Sequence, residues 1–295
     1  MPYKAIRTLL DSETQATASG TKVVKLPLSN VLHTLFVKCE ATTGTGPTAT
    51  RKIDQVLEKI EVIGNGSEVL VSLTPELIRE LIKAKYDYSI QETSSSAAST
   101  TVEGIYPIPF GHNFWDPNLY LPCDRFTDLE LRITFDLGDD AAEWDLDSFT
   151  ITVIAYMTME GSPGAYNGTL RHTVTYDWTT AASGDEVITL PRRLSWHGLM
   201  LYVYSSSGGV PYHVERVKLS INNDQLIPLN IEPSDLQDIL KKQSSFTYAI
   251  WLDLKEWVNG GPFVPTNYDI VQLVVTQKAS GGDAKVVLEE LLTVG

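Results

Sequence analysis

Short segments that alternate apolar and polar residues recur along the whole chain. Leu129–Phe135 and Phe149–Tyr156 follow a period of two most closely, which places one face of each segment in a core. Gly64-Asn65-Gly66 has the composition of a hairpin turn and lies between two further runs. The other apolar or β-branched runs are Val23–Leu26, Leu35–Cys39, Glu61–Ile63 and Val69–Val71. Many short strands with regular turns predict an antiparallel sandwich or barrel.

Two segments have the pattern of short helices. In the first, Thr74 can cap the helix, Pro75 suits its first turn and Glu76 favours its positive end. The second begins at Pro233-Ser234-Asp235. The apolar stripes are Leu77, Ile78, Leu81 and Ile82 in the first helix and Leu236, Ile239 and Leu240 in the second. Each helix is about ten residues long, too short to be stable alone, so each is expected to pack on a sheet.

The two halves of the chain repeat one order of elements, which is the strongest signal in the sequence. Lys25-Leu26-Pro27 corresponds to Thr189-Leu190-Pro191, and Leu32–Val37 corresponds to Trp196–Leu201. The further pairs are Glu58–Val62 with Glu215–Leu219, Gly64-Asn65-Gly66 with Asn222-Asn223-Asp224, Val69–Val71 with Leu226–Leu229, and Leu121-Pro122 with Val264-Pro265. A Pro-started helix follows the same strand in both halves.

This repeat predicts an all-β protein of two tandem eight-stranded antiparallel jelly-roll barrels, each with a short helix. We expect an N-terminal arm over residues 1–20, a first jelly roll over 21–162 and a second over 163–295. The turn-rich segment Gly161-Ser162-Pro163-Gly164 marks the boundary between the two barrels.

Composition agrees with two globular domains and limits their partners. The chain has 295 residues, of which 43% are hydrophobic and 20% charged, so each domain can bury a core. The formal net charge of -14 repels phosphates, and direct binding of nucleic acid is not expected. The sequence has no run of about 18 apolar residues, and residues 1–15 lack the apolar core of a signal peptide, which predicts synthesis in the cytoplasm.

No pattern in the sequence indicates a catalytic, cofactor-binding or metal site. The five histidines are His33, His112, His172, His197 and His213. Their spacing does not bring two imidazoles to one metal ion, and the sequence lacks nucleophile elbows and phosphate-binding loops. No enzymatic activity is therefore predicted. His33 and His197 occupy equivalent positions of the repeat, which favours a structural role and leaves a paired functional role open.

Several polar features admit two interpretations. The acidic residues Asp136, Asp139, Asp140, Glu143, Asp145 and Asp147 suit a calcium loop or a carboxylate pair, but their spacing favours a solvated loop. Thr93–Thr101 is rich in Ser and Thr, which predicts a long exposed loop that either projects towards a host or neighbour or is simply flexible.

The cysteines and two asparagines leave questions of covalent modification open. Cys39 and Cys123 could pair, although synthesis in the cytoplasm favours free thiols. Asn65 and Asn167 each begin the acceptor pattern for glycosylation, which also requires the host machinery.

The repeated order of elements resembles the double jelly-roll major capsid proteins of icosahedral viruses with an internal membrane, the adenovirus-like lineage. Ile105–Gly111, followed by Leu121-Pro122 and the strand Leu129–Phe135, is similar to the middle of the first barrel in that family. The resemblance covers nearly the whole chain and rests on the order and spacing of elements.

The resemblance implies a structural protein of the virion that needs no cofactor. Three chains would form a homotrimer, a pseudo-hexameric tile that contacts neighbouring trimers, penton proteins and minor capsid proteins in the shell. Lys4–Leu10 is the basic and apolar stretch of the N-terminal arm. It is a candidate to contact an internal membrane or a neighbouring trimer.

A different class of function is compatible with the same fold. A carbohydrate-binding or glycan-acting protein with two jelly rolls could use tryptophan rings as a stacking platform. The six tryptophans are Trp115, Trp144, Trp178, Trp196, Trp251 and Trp257. Exposed, coplanar rings would favour this alternative, whereas buried rings would favour the capsid protein.

Overall fold

The protein folds into two compact units. The computed structural model describes residues 3–159, 164–240, 248–254 and 262–293, and of residues 237–240 only the backbone. Unit 1 comprises Met1–Arg79, Ser89–Leu170 and Thr293–Gly295, and unit 2 comprises Glu80–Tyr88 and Arg171–Leu292. The predicted boundary at residues 161–164 lies outside the described residues except for Gly164.

Unit 1 contains eight main strands in two antiparallel sheets. The main strands are β1 (Tyr3–Thr14), β2 (Ser19–Lys25), β3 (Val31–Thr42), β5 (Leu57–Gly64), β6 (Glu68–Leu73), β8 (Thr101–Pro109), β10 (Leu129–Asp136) and β11 (Thr150–Met159). The short strands are β4 (Arg51–Lys52), β7 (Ser94–Ser95) and β9 (Leu121–Pro122). One sheet has the order β1-β11-β3-β8, with β9 beside β3, and the other has the order β6-β5-β10-β2.

Period-two patterning explains these strands. In β10, Leu129, Leu131 and Ile133 are almost completely buried, while the residues between them are partly exposed. The same alternation runs through β11, where Thr152 and Ile154 lie on the partly exposed face. Because side chains of a strand point alternately to opposite faces, each sheet has one apolar face directed at the core.

The first strand corrects one expectation. Tyr3–Thr14, which the sequence pattern assigns to an N-terminal arm, is strand β1 and pairs antiparallel with β11. The pairing shifts register between Thr8 and Leu10 and again between Leu10 and Glu13, and Ser12 has a φ of 33°. These irregularities break the alternation of apolar and polar residues, so the segment has no strand signal in the sequence.

Unit 2 repeats the topology of unit 1. Its strands are β12 (Thr169–Thr179), β13 (Gly184–Thr189), β14 (Ser195–Tyr204), β15 (Val214–Ile221), β16 (Leu226–Ile231), β17 (Ala249–Asp253), β18 (Val271–Gln277) and β19 (Asp283–Leu292). The sheets have the orders β17-β14-β19-β12 and β13-β18-β15-β16. If the eight main strands of each unit are numbered in chain order, the strands of one sheet lie side by side as 1-8-3-6 and those of the other sheet as 2-7-4-5. Both units share this order, which is that of a jelly roll.

Hydrogen bonds confirm the repeat at the level of single residues. Asn65 and Asn222 have φ values of 50° and 51° in equivalent turns. The Oδ1 atom of Asn65 accepts a hydrogen bond from the Thr127 backbone N–H at 2.9 Å, and that of Asn222 accepts one from the Asp269 N–H at 2.8 Å. The two halves therefore share turn chemistry as well as strand order.

Both predicted helices are present. Helix α1 spans Pro75–Tyr86, and the Thr74 hydroxyl accepts a hydrogen bond from the Leu77 backbone N–H at 3.4 Å. The residues of α1 from Glu80 onwards belong to unit 2. A four-residue helix, α2 (Val210–His213), has no sequence signal, and α3 spans Pro233–Leu240. In the described ranges, no helix is long and apolar enough to cross a membrane.

The turn asparagines generate a prediction about stability. We expect Asn65→Ala to lower the free energy of unfolding by about 1–2 kcal/mol, because it removes a hydrogen bond and places a β-carbon at positive φ. Asn65→Gly, the matched control, accepts the backbone conformation and should cost less. Urea unfolding compares the two variants, and an equal loss in both would contradict the strained-turn explanation.

Candidate functional site

The two equivalent histidines are buried inside strands. His33 on β3 and His197 on β14 are 1% and 7% exposed. His33 Nε2 lies 2.8 Å from the Thr158 hydroxyl, and burial lowers the pKa of His33. Within the described ranges, His, Cys, Asp and Glu side chains do not form a group of three that could hold a metal ion. Both histidines lie buried within their strands, and the structural role that the sequence favours stays a prediction.

A third buried histidine links three loops to a short helix of unit 2. His213, at the end of α2, is fully buried. Its Nδ1 lies 3.0 Å from the Thr180 hydroxyl and 3.0 Å from the Ala279 carbonyl oxygen, and its Nε2 lies 2.7 Å from the Ser205 hydroxyl. The ring therefore uses both nitrogens to connect chain segments, and it faces protein groups rather than solvent.

Five of the six acidic residues lie in the connection between β10 and β11, and Asp136 is the last residue of β10. Glu143 is half-buried and bonds to the Arg51 guanidinium and to Thr48, and the Thr48 and Arg51 contacts hold the pKa of Glu143 below its usual value. The exposed acids are Asp136 at the end of β10 and Asp139, Asp140, Asp145 and Asp147 in the connection. The structure therefore places four of the six carboxylates on an exposed loop.

The Ser/Thr-rich segment is exposed and also held in place. Ser94 and Ser95 form β7, which pairs with β4. The Thr43 hydroxyl donates a hydrogen bond to the Ala97 carbonyl oxygen at 2.6 Å and accepts one from the Thr100 N–H at 2.9 Å. These bonds tie the segment to β4 and to Thr43, and its contact with a host or a neighbour stays a prediction.

Both cysteines are buried and free. Burial raises the pKa of Cys123 to about 12 and raises that of Cys39 as well. Thiols with a raised pKa carry little thiolate and are poor nucleophiles, so these side chains act as packing groups.

Most of the described tryptophans belong to the packed interior. Trp144, Trp196 and Trp251 are 4%, 0% and 3% exposed. Trp115 and Trp178 are partly buried, and Trp257 lies outside the described residues. The Trp115 ring stacks on Tyr156 with centroids 4.8 Å apart, and the Lys4 ammonium lies 5.2 Å from the Trp115 centroid. Rings packed in the interior do not supply the exposed, coplanar platform that sugar stacking requires.

Unit 2 contains a buried ionic cluster that the sequence analysis missed. Lys85 in the last turn of α1, His172 on β12 and Glu289 on β19 have side chains that are 7%, 2% and 1% exposed. The Lys85 ammonium donates a hydrogen bond to Glu289 Oε2, and His172 Nε2 lies 2.7 Å from the same oxygen. The Lys85 ammonium also lies 4.7 Å from the Tyr86 ring centroid and 5.3 Å from that of Trp251.

The strand pattern explains where this cluster lies. Alternation along β19 turns Val286 and Leu288 into the core of unit 2 and Glu289 to the opposite face. Gly198 of β14 is the pairing partner of Glu289 in the neighbouring strand. A β-carbon at Gly198 would lie 2.3 Å from the Trp251 ring. Glycine therefore allows Trp251 to lie flat beside the cluster. The available sequence signal was Glu289-Glu290 inside the apolar run Val286–Leu292.

The protonation states of Lys85, His172 and Glu289 depend on one another. Burial opposes ionisation of Glu289, but the Lys85 ammonium and the His172 ring hold the pKa of Glu289 well below its usual value. Burial also opposes the charge on Lys85, yet Glu289 raises the pKa of Lys85. Burial lowers the pKa of His172 despite the nearby carboxylate. At neutral pH the cluster is thus one ammonium, one carboxylate and one neutral imidazole, an arrangement suited to fixing a packing geometry.

Several exposed apolar side chains lie on strands that end their sheets. Strands β1, β2, β13 and β16 are such end strands. Their exposed apolar residues, with exposed fractions, are Tyr3 (68%), Ile6 (65%), Val23 (44%), Val187 (51%), Leu226 (47%) and Ile227 (42%). Sheet edges with exposed apolar side chains are favourable sites for association with another chain. These edges are the best candidates for a functional surface on the described part of the chain.

The fold is that of known viral capsid proteins. A crystal structure of the STIV major capsid protein has 13% sequence identity and a TM-score of 0.73, with coverage of 98% of this chain and 96% of that chain. A chain of the atomic structure of Sulfolobus Turreted Icosahedral Virus has 14% identity and a TM-score of 0.73, with 97% and 90% covered. The major capsid protein P2 from Bacteriophage PM2 has 12% identity and a TM-score of 0.65, with 99% and 98% covered.

These similarities confirm the predicted double jelly-roll fold over both units. No family model and no curated protein sequence matches the chain. At such low identity the similarity concerns the fold, and function has to be argued from it separately.

The ionic cluster generates a prediction about stability. We expect Lys85→Met to cost about 3–5 kcal/mol, because it leaves the Glu289 carboxylate buried without its ammonium partner. The double variant Lys85→Met, Glu289→Leu removes both charges and should recover most of that loss. Urea unfolding followed by tryptophan fluorescence measures both variants. A double variant as unstable as the single one would contradict the ion-pair explanation.

The same cluster predicts how stability depends on pH. His172 has a lowered pKa in the folded state, so below the unfolded value of about 6.5 the unfolded chain binds more protons than the folded chain. Stability should therefore fall as the pH decreases from 7 to about 5. It should fall further below about pH 4.3, where unfolded glutamate takes up protons and Glu289 does not.

The variant His172→Gln tests the assignment of this pH dependence. Glutamine can still donate a hydrogen bond to Glu289 but does not titrate, so the slope of stability between pH 5 and 7 should become shallower. Urea unfolding at a series of pH values measures the slope. An unchanged slope would show that His172 contributes nothing to it.

Proposed function

We propose that the chain is the major capsid protein of an icosahedral virus and that its copies tile the shell. The observation that carries the proposal is the match of both units, over 98% of this chain and 96% of the other, to the fold of the STIV major capsid protein. A similarity confined to one unit would fit any jelly-roll protein. Two jelly rolls in tandem over the full length fit a building block with two equal parts.

The unit of assembly that we propose is a homotrimer. Three chains with two jelly rolls each give six similar domains, so a trimer can occupy a hexagonal position in a shell. The duplicated topology supplies the equal domains that such a tile requires. The exposed apolar residues of the end strands, such as Ile6 and Val187, supply surface for contacts between copies.

The proposed partners follow from the net charge of the chain and from the exposed edge strand β1. A net charge of -14 disfavours contact with the genome, so we propose that the shell does not bind nucleic acid directly. The basic and apolar stretch Lys4–Leu10 lies on β1, an edge strand with exposed Ile6, and is proposed to contact a neighbouring trimer or an internal membrane. Penton and minor capsid proteins would complete the shell, and synthesis would take place in the host cytoplasm.

We assign the protein a structural role without catalysis. Buried charged groups such as Lys85 and Glu289 pair with each other, and both cysteines have raised pKa values. Measurement of bound metal after purification is a simple check on this assignment.

Light scattering of the purified chain tests the proposed assembly. We expect a solution mass three times the chain mass of 32.6 kDa, and larger sheets or shells as the concentration rises. Ile6→Lys places a charge on the exposed edge of β1 and should weaken association, whereas the exposed-loop variant Asp139→Asn serves as a matched control. A mass of one chain at all concentrations would contradict the proposal.

A further inference from the structure

Two end strands, one in each unit, have free edges of the same length. Within the described ranges, β1 pairs only with β11 and β13 pairs only with β18. Residues 3–8 of β1 and the whole of β13 (Gly184–Thr189) are both six residues long and keep an uninterrupted register with those neighbours. Each free edge therefore offers backbone N–H and carbonyl groups to a further strand over an equal length.

Strand β1 directs Lys4, Ile6 and Thr8 to its outer face. Ile6 is opposite Tyr156, which lies on the partly exposed face of β11, and opposite residues of neighbouring strands share a face. All three side chains are exposed, Ile6 by 65%. The outer face of β1 therefore presents an ammonium, an apolar group and a hydroxyl in that order.

Strand β13 directs Asp185, Val187 and Thr189 to its outer face, because Ile188 between them is buried in the core of unit 2. Val187 is 51% exposed. The Asp185 carboxylate accepts a hydrogen bond from the Thr276 hydroxyl at 2.7 Å, and a carboxylate can accept several such bonds. The outer face of β13 therefore presents a carboxylate, an apolar group and a hydroxyl in that order.

The two outer faces are complementary when the strands run parallel. The pairs side by side are then Lys4 with Asp185, Ile6 with Val187, and Thr8 with Thr189. Opposite charges, apolar groups and hydroxyls all form favourable pairs across neighbouring strands. An antiparallel alignment centred on Ile6 and Val187 would place Lys4 beside Thr189 and lose the charge pair.

The same parallel alignment brings a second pair of charges together on the inner face. Arg7 of β1 is exposed, and Glu186 of β13 is half-buried and accepts a hydrogen bond from the Tyr176 hydroxyl at 2.6 Å. Arg7 and Glu186 would be diagonal neighbours, a spacing that long side chains can bridge. Both faces of the paired strands would thus carry one cation from β1 and one carboxylate from β13.

The other end strands fit β1 less well. Strand β2 contains Lys22 and Lys25 but no carboxylate, and β17 is almost entirely buried. Strand β16 contains Pro228 and β8 contains Pro107 and Pro109, and proline cannot donate a hydrogen bond to a neighbouring strand. Since a chain with a net charge of -14 repels its own copies, the basic edge of β1 suits an acidic edge of the same protein.

We propose that β1 of one copy and β13 of a second copy pair as parallel strands. The contact rests on the proposed function, because it supplies one of the interfaces between copies of a capsid protein. It joins unit 1 of one copy to unit 2 of the next, so it is a head-to-tail contact. Contacts of this type close into a ring when the rotation between copies permits it, and three copies in a ring are the proposed tile.

Cross-linking of the full chain tests the pairing. In the double variant Ile6→Cys, Val187→Cys, the two new thiols lie side by side across the proposed contact, and the native cysteines are buried. Mild oxidation should give covalent dimers and trimers on a gel without reductant. The matched control is Ile6→Cys, Val23→Cys, which uses the exposed valine of edge strand β2 and should give none.

Charge reversal is a second test that leaves the backbone unchanged. We expect Lys4→Glu or Asp185→Lys to weaken association by about tenfold, because each places like charges side by side. The combination of both changes in one chain should restore association. Lys52→Glu and Asp139→Lys, at exposed sites on other segments, make the same changes of net charge and should have little effect. Light scattering over a concentration series measures all five variants.

The outcomes separate this contact from the capsid function. A chain that forms trimers without the predicted cross-link, or whose mass is unchanged by the charge reversals, overturns the strand pairing and leaves the capsid function standing. A wild-type chain that stays single at every concentration contradicts both. Binding of β1 to vesicles with anionic lipid that is lost in Lys4→Glu, with an unchanged mass, would assign this edge to a membrane and overturn the pairing.

Discussion

Both units depend on the burial of two sheets against each other. In unit 2 the core brings Leu201 of β14 and Val286 of β19 from one sheet together with Leu219 of β15 and Leu273 of β18 from the other. Because side chains alternate along a strand, a shift of one residue in any pairing would turn the apolar set outward. The need to bury one face of every strand therefore fixes the register. The register also determines the positions of the asparagine turns, of the edge strands with exposed apolar side chains, and of the sheet face that carries the ionic cluster.

The fixed register also determines which residues of β19 point away from the core. Once β19 directs Leu288 inward, Glu289 has to lie on the opposite face. The end of α1 covers that face in unit 2 and supplies the Lys85 ammonium. A segment from the first half of the sequence is thereby part of unit 2. A buried ion pair of this kind contributes little net stability but disfavours every packing that separates its charges.

The sequence predicted the strands, the repeat and the two Pro-started helices because each leaves a local signal. Alternation marks β10 and β11, and the turns at Asn65 and Asn222 have residues that tolerate positive φ. Strand β1 was missed because its register shifts break the alternation. The Lys85 cluster was missed because residues 85, 172 and 289 are far apart in sequence and meet only in the folded unit.

The central claim is that two jelly rolls in one chain make a tile of six similar domains. Electron cryo-microscopy of the concentrated, purified protein tests it most directly. The account predicts three-fold particles with six barrel-sized lobes in a hexagonal outline, alone or joined into sheets and shells. Single two-lobed particles at every concentration, or assemblies without three-fold symmetry, would contradict it.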